Sequence, residues 1–168
     1  MEWSGVDMKK YMLVIMMLCI LSLSTVVHAL SKNQVALGGI PLDAPLTYVN
    51  SIYGPPTRID GGGQWVSHYG NGFLVYSSPR TTGKDSRYKK AVNYVDEIRV
   101  TQNNGISTPD GAYVGMQEIS IEELYGKPFN KFSNKDGLIT YWYFADTQLL
   151  AFEVKNGLVI SIRITETD

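Results

Sequence analysis

The chain is 168 residues long, 44% hydrophobic and 11% aromatic, with 15 Lys plus Arg against 16 Asp plus Glu and a formal net charge of −1. A balance this close to neutral gives no basic excess for nucleic acid and no charge run for an anionic membrane surface. The single cysteine, Cys19, lies in an apolar N-terminal run, so disulfides, thiol catalysis and thiolate metal sites are excluded from everything after it.

Met8-Lys9-Lys10 opens a short basic region, residues 11–25 are almost wholly apolar, and Val27-His28-Ala29 offers small residues for cleavage. Residues 1–29 therefore read as a secretory signal, too short and wrongly flanked for a permanent anchor. Leu18 before Cys19 is not the small residue a lipid-attachment site wants. The exported chain is expected in the periplasm, the cell envelope or the medium, with no integral membrane segment after cleavage. Residues 30–38 form a leader. Asp43 is expected to cap a first helix carrying Leu46, Val49, Ile52 and Tyr53 on one face, ended by Gly54 and two prolines. Strands over 65–69 and 73–77 flank the hairpin turn Gly70-Asn71-Gly72. The polar stretch 79–90 reads as a mobile loop, and an alternating strand follows over 95–101. Residues 102–110 form a linker. Met116, Ile119, Leu124 and Tyr125 predict a second short helix, ended by Gly126. Asp136-Gly137 then predicts a turn, and strands follow over 140–144, 149–155 and 158–165, the last two joined by Asn156-Gly157.

The two halves share a phrase. Gly39-Ile40-Pro41-Leu42 precedes Tyr53-Gly54-Pro55-Pro56 as Gly111-Ala112-Tyr113-Val114 precedes Tyr125-Gly126-Lys127-Pro128, and residues 95–101 match 159–165. The expected fold is thus α+β: two tandem repeats, residues 39–101 and 111–168, each a short helix with three to four antiparallel strands, helices on one face of a twisted sheet. Helical stripe and strand alternation select a core of Leu46, Val49, Ile52, Ile98, Val100, Ile121, Leu124, Leu150, Phe152, Val154, Ile160, Ile162 and Ile164. This phrase resembles the small exported domains related to the outer-membrane assembly lipoprotein BamE (SmpA/OmlA) and to the beta-lactamase inhibitory protein. The latter is a tandem pair whose strands form one curved sheet with helices on one face. The resemblance covers residues 39–165 and implies a fold; it brings no partner and no functional residue. The chain departs from the inhibitory protein in lacking cysteines after residue 29, and from the lipoprotein in lacking a lipid-attachment signal.

No catalytic constellation stands out. His68 is the only histidine after residue 29, so histidine pairs and relays are impossible. Gly61-Gly62-Gly63 lacks the lysine and spacing of a phosphate loop, and the Asp-Gly pairs lack the alternating oxygens of a calcium loop. No cofactor or metal is implied. The run Tyr141-Trp142-Tyr143-Phe144 puts aromatics on both faces of one strand, so a helix-free face would show either Tyr141 and Tyr143 or Trp142. Arg99 and Arg163 alternate with aliphatic residues and are expected to point away from the core. The expected function is a non-catalytic module that binds another protein through Trp65, Tyr69, Tyr141 and Tyr143, with Arg99 and Arg163 as polar contacts. The alternative is a small envelope hydrolase whose carboxylates meet only in space.

Overall fold

The structure, a computed structural model, describes residues 30–62, 64–80 and 91–167. The expected signal peptide and most of the 79–90 loop lie outside the described residues. A single 3-10 turn, Lys32–Gln34, leads into a ribbon of β1 (Ala36–Leu37) and β2 (Ile40–Pro41). Then come α1 (Leu46–Tyr53), β3 (Arg58–Asp60), β4 (Trp65–His68), β5 (Phe73–Arg80) and β6 (Val92–Val100). The second half contributes α2 (Ile119–Tyr125), β7 (Asn130–Ser133), β8 (Ile139–Ala145), β9 (Gln148–Lys155) and β10 (Leu158–Glu166). The strands β3 to β10 form one antiparallel sheet of eight in the order β3-β4-β5-β6-β10-β9-β8-β7.

The architecture is mainly β, and this corrects the α+β expectation of two helix-plus-strand repeats. The α-helices among the described residues have only 8 and 7 residues, about two turns each, too little to make a helical layer. Asp43 shows why the first is so short. Its φ is +62°, outside any helical approach, and its carboxylate is taken by Arg80, so the cap is Pro45 and the helix begins only at Leu46. Met116 likewise stays outside α2, which starts at Ile119.

The hairpins form where turn chemistry demands them. Asn156 and Gly157 both take positive φ, +53° and +75°, joining β9 to β10 in the sense that matches strand twist. The Tyr69 amide donates to the Phe73 carbonyl across Gly70-Asn71-Gly72. Asn134 accepts from the Asp136 and Leu138 amides and closes the β7–β8 turn around Gly137.

Phe73, Val100, Ile162, Phe152 and Tyr141 occupy one row across the sheet, and Val75, Ile98, Ile164, Leu150 and Tyr143 the next. All ten are buried. Tyr53 of α1 lies edge-on to Phe73, with centroids 4.9 Å apart, and Tyr125 of α2 packs on Tyr143 and Phe152 at 5.4 and 5.3 Å. Both helices thus sit over this face. Nine of the expected core residues are buried there: Val49, Ile98, Val100, Ile121, Leu150, Phe152, Val154, Ile162 and Ile164. Leu46 is only partly buried, and Ile52, Leu124 and Ile160 are exposed. Ile160 sits where the β9–β10 register shifts between Val159 and Ser161, so the strand alternation that selected it is broken there.

Candidate functional site

The opposite face of the sheet has no helix over it among the described residues. Its side chains are the other half of each strand's alternation, and the register places them in rows. One row runs His68, Leu74, Arg99, Arg163, Ala151, Trp142; the next runs Val66, Tyr76, Glu97, Thr165, Leu149, Phe144. Two features stand out on this face.

The first is aromatic. Phe132, Trp142, Phe144 and Phe129 make a chain of edge-to-face contacts, with centroids 5.1, 6.4 and 4.9 Å apart and interplanar angles of 88°, 84° and 89°. Such geometry sets ring edges against ring faces and locks the rings in place. Phe129 is nonetheless 77% exposed and Phe132 42%. The Trp142 Nε1 is enclosed without an acceptor among the described residues. Phe129 and Phe132 thus leave large apolar ring area in water beside this face.

The second is cationic. Arg99 and Arg163 stand directly opposite each other across β6 and β10. Like charges in that relation repel, and one carboxylate, Glu97, lies between them: Arg99 Nη2 is 2.7 Å from Oε1 and Arg163 Nη1 is 3.9 Å from Oε2. Arg99 also stacks over Tyr76, its Cζ 5.6 Å from the ring centroid, which fixes the guanidinium plane. Its Nε is enclosed and has no acceptor among the described residues.

The structure separates the sequence-predicted binding residues. Arg99 and Arg163 lie on the free face and come together. Tyr141 and Tyr143 do not, and expecting them there is corrected: they are 1% and 4% exposed in the core, against Phe152 and under α2. Trp65 and Tyr69 are on the helix side as well. Trp65 is half-exposed and walls an apolar cleft of about 230 Å³ with Ile59 and Leu46, while the Tyr69 hydroxyl donates to Asn50 of α1. In the 141–144 run it is Trp142, with Phe144, that faces away from the helices. Phe129 and Phe132 escaped sequence reading because Asn130–Ser133 is a four-residue, wholly exposed edge strand without apolar alternation.

A cleft of about 600 Å³ opens on the helix side, lined by Glu118, Ile119, Glu122, Lys131, Tyr141 and Leu158 among others. The Tyr141 hydroxyl donates to the Glu118 carboxylate, and Lys131 Nζ is 3.3 Å from Glu118 and 3.9 Å from Glu122. Tyr141, then Glu118, hold the Lys131 ammonium above the usual lysine value, and burial, then Glu118, raises the Tyr141 phenol. Both therefore keep their protons at neutral pH, the wrong state for a base or a nucleophile. Two carboxylates, Glu118 and Glu122, line this cleft, and one ammonium reaches both.

His68 is the other titratable group with close partners. Its Nε2 lies 2.8 Å from Asp60 and 3.0 Å from Arg58 Nη2, all at the β3 edge. The hydrogen bond from His68, reinforced by Arg58, holds the Asp60 carboxyl below the usual value. Among the described residues no hydroxyl bonds the His68 ring: the neighbouring Ser67 points to the opposite face, and the Thr57 hydroxyl donates to the His68 backbone carbonyl. Among the described residues no group of three or more His, Cys, Asp or Glu could hold a metal ion. No described helix is long and apolar enough to cross a membrane.

No protein-family model matches this sequence, and no curated protein matches it significantly. Among solved structures, the chain is similar to a DUF4309 family protein (YjgB) from Bacillus subtilis subsp. subtilis str. 168, at 14% identity and a TM-score of 0.45, covering 77% of this chain and 83% of that one. It is also similar to an extracellular protein containing a SCP domain from Bacillus anthracis str. Ames, at 13% identity and a TM-score of 0.44. That match covers 74% of this chain and 44% of the other, so the chain spans less than half of that protein's length. These comparisons show no BamE-like or beta-lactamase inhibitory protein family for this chain.

Proposed function

We propose that this protein is an exported, non-catalytic module that binds another protein through the helix-free face of its sheet. The observation that supports it is the edge-to-face array of Phe129, Phe132, Trp142 and Phe144, in which Phe129 and Phe132 are exposed and Trp142 and Phe144 partly buried. Aromatic anchors of this kind lose little side-chain entropy on binding and carry most of an interface's energy. The companion cations, Arg99 and Arg163, are half-exposed on the same face. Export rests on the basic, apolar and small-residue order of residues 8–29.

A photo-cross-linking amino acid placed at Phe129 or Phe132 in producing cells tests this reading. A discrete protein adduct from these positions, lost on Trp142→Ala and missing when the probe replaces Tyr48 on α1, is the expected result. Equal labelling from both sides, or none from the aromatic array, overturns it.

A second reading, a carboxylate hydrolase, draws on one observation: Glu118 and Glu122 line the same cleft. It requires that turnover of a glycoside or ester substrate vanish in Glu118→Gln while the fold is kept. The Lys131 ammonium beside both carboxylates makes it the weaker of the two.

A further inference from the structure

We infer that the Arg99–Arg163 pair is a receptor for a carboxylate on an extended, acidic segment of the partner protein, a segment whose apolar side chain docks on the Trp142 array. The inference rests on the binding-face reading above and adds the chemistry of the occupant.

Charge is the first argument. Two guanidiniums face each other in register, and Glu97 is the one carboxylate paired with them among the described residues, Glu153 lying on the same face diagonal to Arg163. Glu97 makes a close ion pair with Arg99 at 2.7 Å and only a loose one with Arg163 at 3.9 Å. Arg163 therefore keeps donors for a second acceptor. Glu153, its diagonal neighbour in register, makes no ion pair among the described residues. A planar fork of N–H groups fits a carboxylate in a bidentate manner, and Tyr76 under Arg99 pre-sets one of the forks. The side chains of Arg99 and Arg163 remain 36% and 34% exposed, so a ligand can reach them.

The second argument is shape. Among the described residues, Arg99 and Arg163 line neither of the two clefts above and lie in register along the sheet face. In register, Arg163 and Ala151 separate Arg99 from Trp142 along one row. Three strand spacings of about 4.8 Å make that separation roughly 14 Å, which an extended chain crosses in about four residues. Ala151 adds no side chain beyond Cβ to that row and is itself buried beneath its neighbours, so a segment spanning cation and rings rests on the flanking side chains. The fitting segment thus carries a Glu or Asp and an apolar residue about three to four positions apart, lying across the strands.

Binding of synthetic peptides to the purified protein, followed by NMR of the arginine Nε–H and tryptophan indole N–H groups, tests this. The probe peptide carries Glu and Trp four positions apart; its control carries Gln in place of Glu. The expected result is movement of the Arg99, Arg163 and Trp142 signals together, and at least tenfold weaker binding of the Gln peptide. Arg163→Gln should cost the Glu peptide a similar factor and leave the Gln peptide unaffected, while Glu153→Gln should tighten the Glu peptide. Added salt should weaken only the Glu peptide, a readout that needs no variant to fold. Equal binding of both peptides at Trp142 overturns the carboxylate receptor and leaves the binding face intact. Failure of both peptides to move Trp142 overturns the receptor and the face together. Inorganic phosphate or anionic phospholipid vesicles moving the arginines as strongly as the Glu peptide also overturns it, in favour of a general anion site.

Discussion

Tyr143 packs its ring on Tyr125 and Phe152 and donates its hydroxyl to the Gly126 carbonyl at 3.0 Å, so it ties β8 to the end of α2. Truncation there leaves a cavity under the helix. Tyr143→Ala should lower unfolding free energy by about 3–5 kcal/mol, whereas Tyr143→Phe should cost only about 1 kcal/mol for the lost hydrogen bond. Urea denaturation checks both, and a near-neutral Tyr143→Ala would return the residue to the surface. Gly38 makes a different residue-scale case. Its φ is +59°, its carbonyl accepts from the Tyr53 hydroxyl at 2.6 Å, and a Cβ at Gly38 would lie 2.2 Å from that hydroxyl. Gly38→Ala should therefore cost more than the about 1–2 kcal/mol of left-handed strain alone. Adding Tyr53→Phe should recover part of the loss, and thermal melts of the two single variants and the double variant measure that coupling.

At the scale of elements, the turns were legible and the sheet faces were not. Asn156-Gly157, Gly70-Asn71-Gly72 and Asp136-Gly137 each close a hairpin because so few residues accept their backbone angles. The aromatic run 141–144 is different. Alternation shows that Tyr141 and Tyr143 share one side and Trp142 and Phe144 the other, but not which side the helices cover, and a one-residue choice inverts the whole strand. Phenolic residues suit the helix side here because backbone and Glu118 acceptors lie within reach of their hydroxyls. Trp65 misled for a related reason: it shares the core-facing side with Ser67 but stands near the β3 edge, where little covers it. Arg99 and Arg163 were readable because a charge flanked by aliphatic residues in a strand has only one tolerable direction. The short helices were over-read, since Asp43 looks like a cap in sequence and instead binds Arg80. That contact is itself testable. Arg80 also pairs with Asp96 at 2.8 Å, so Arg80→Ala releases two carboxylates at once and should loosen the entry to α1. Faster amide exchange at Asp43, whose N–H donates to the Val95 carbonyl, and at Val95, whose N–H donates to the Ala44 carbonyl, with little change in β8–β10, is the expected pattern.

For the whole molecule, the β6–β10 pairing matters most, because it welds strands from both halves into one sheet over one continuous core that runs from Val35 to Ile164. Such a core should unfold as a unit rather than half by half. Its phenols offer a way to see that. Burial pushes Tyr125 up from 10.0 to about 12, and raises Tyr143 still further with the Glu122 charge as a second cause. Tyr53, Tyr69 and Tyr141 are raised as well, each chiefly by burial. A raised folded-state value means that the fold holds the proton more tightly than the unfolded chain does. The resulting stability is fully present below pH 10.0 and is lost as pH climbs from there through about 12. Alkaline titration should accordingly show tyrosinate absorbance from these rings rising together with loss of the far-ultraviolet β signal, in one step. Tyr125→Phe removes one of the protons released and should flatten the pH dependence of stability across that interval, even though it also loses the Thr108 contact at neutral pH. Gradual ionisation of the buried phenols below pH 10, with the sheet intact, would contradict both the burial of these rings and the single cooperative core that they line.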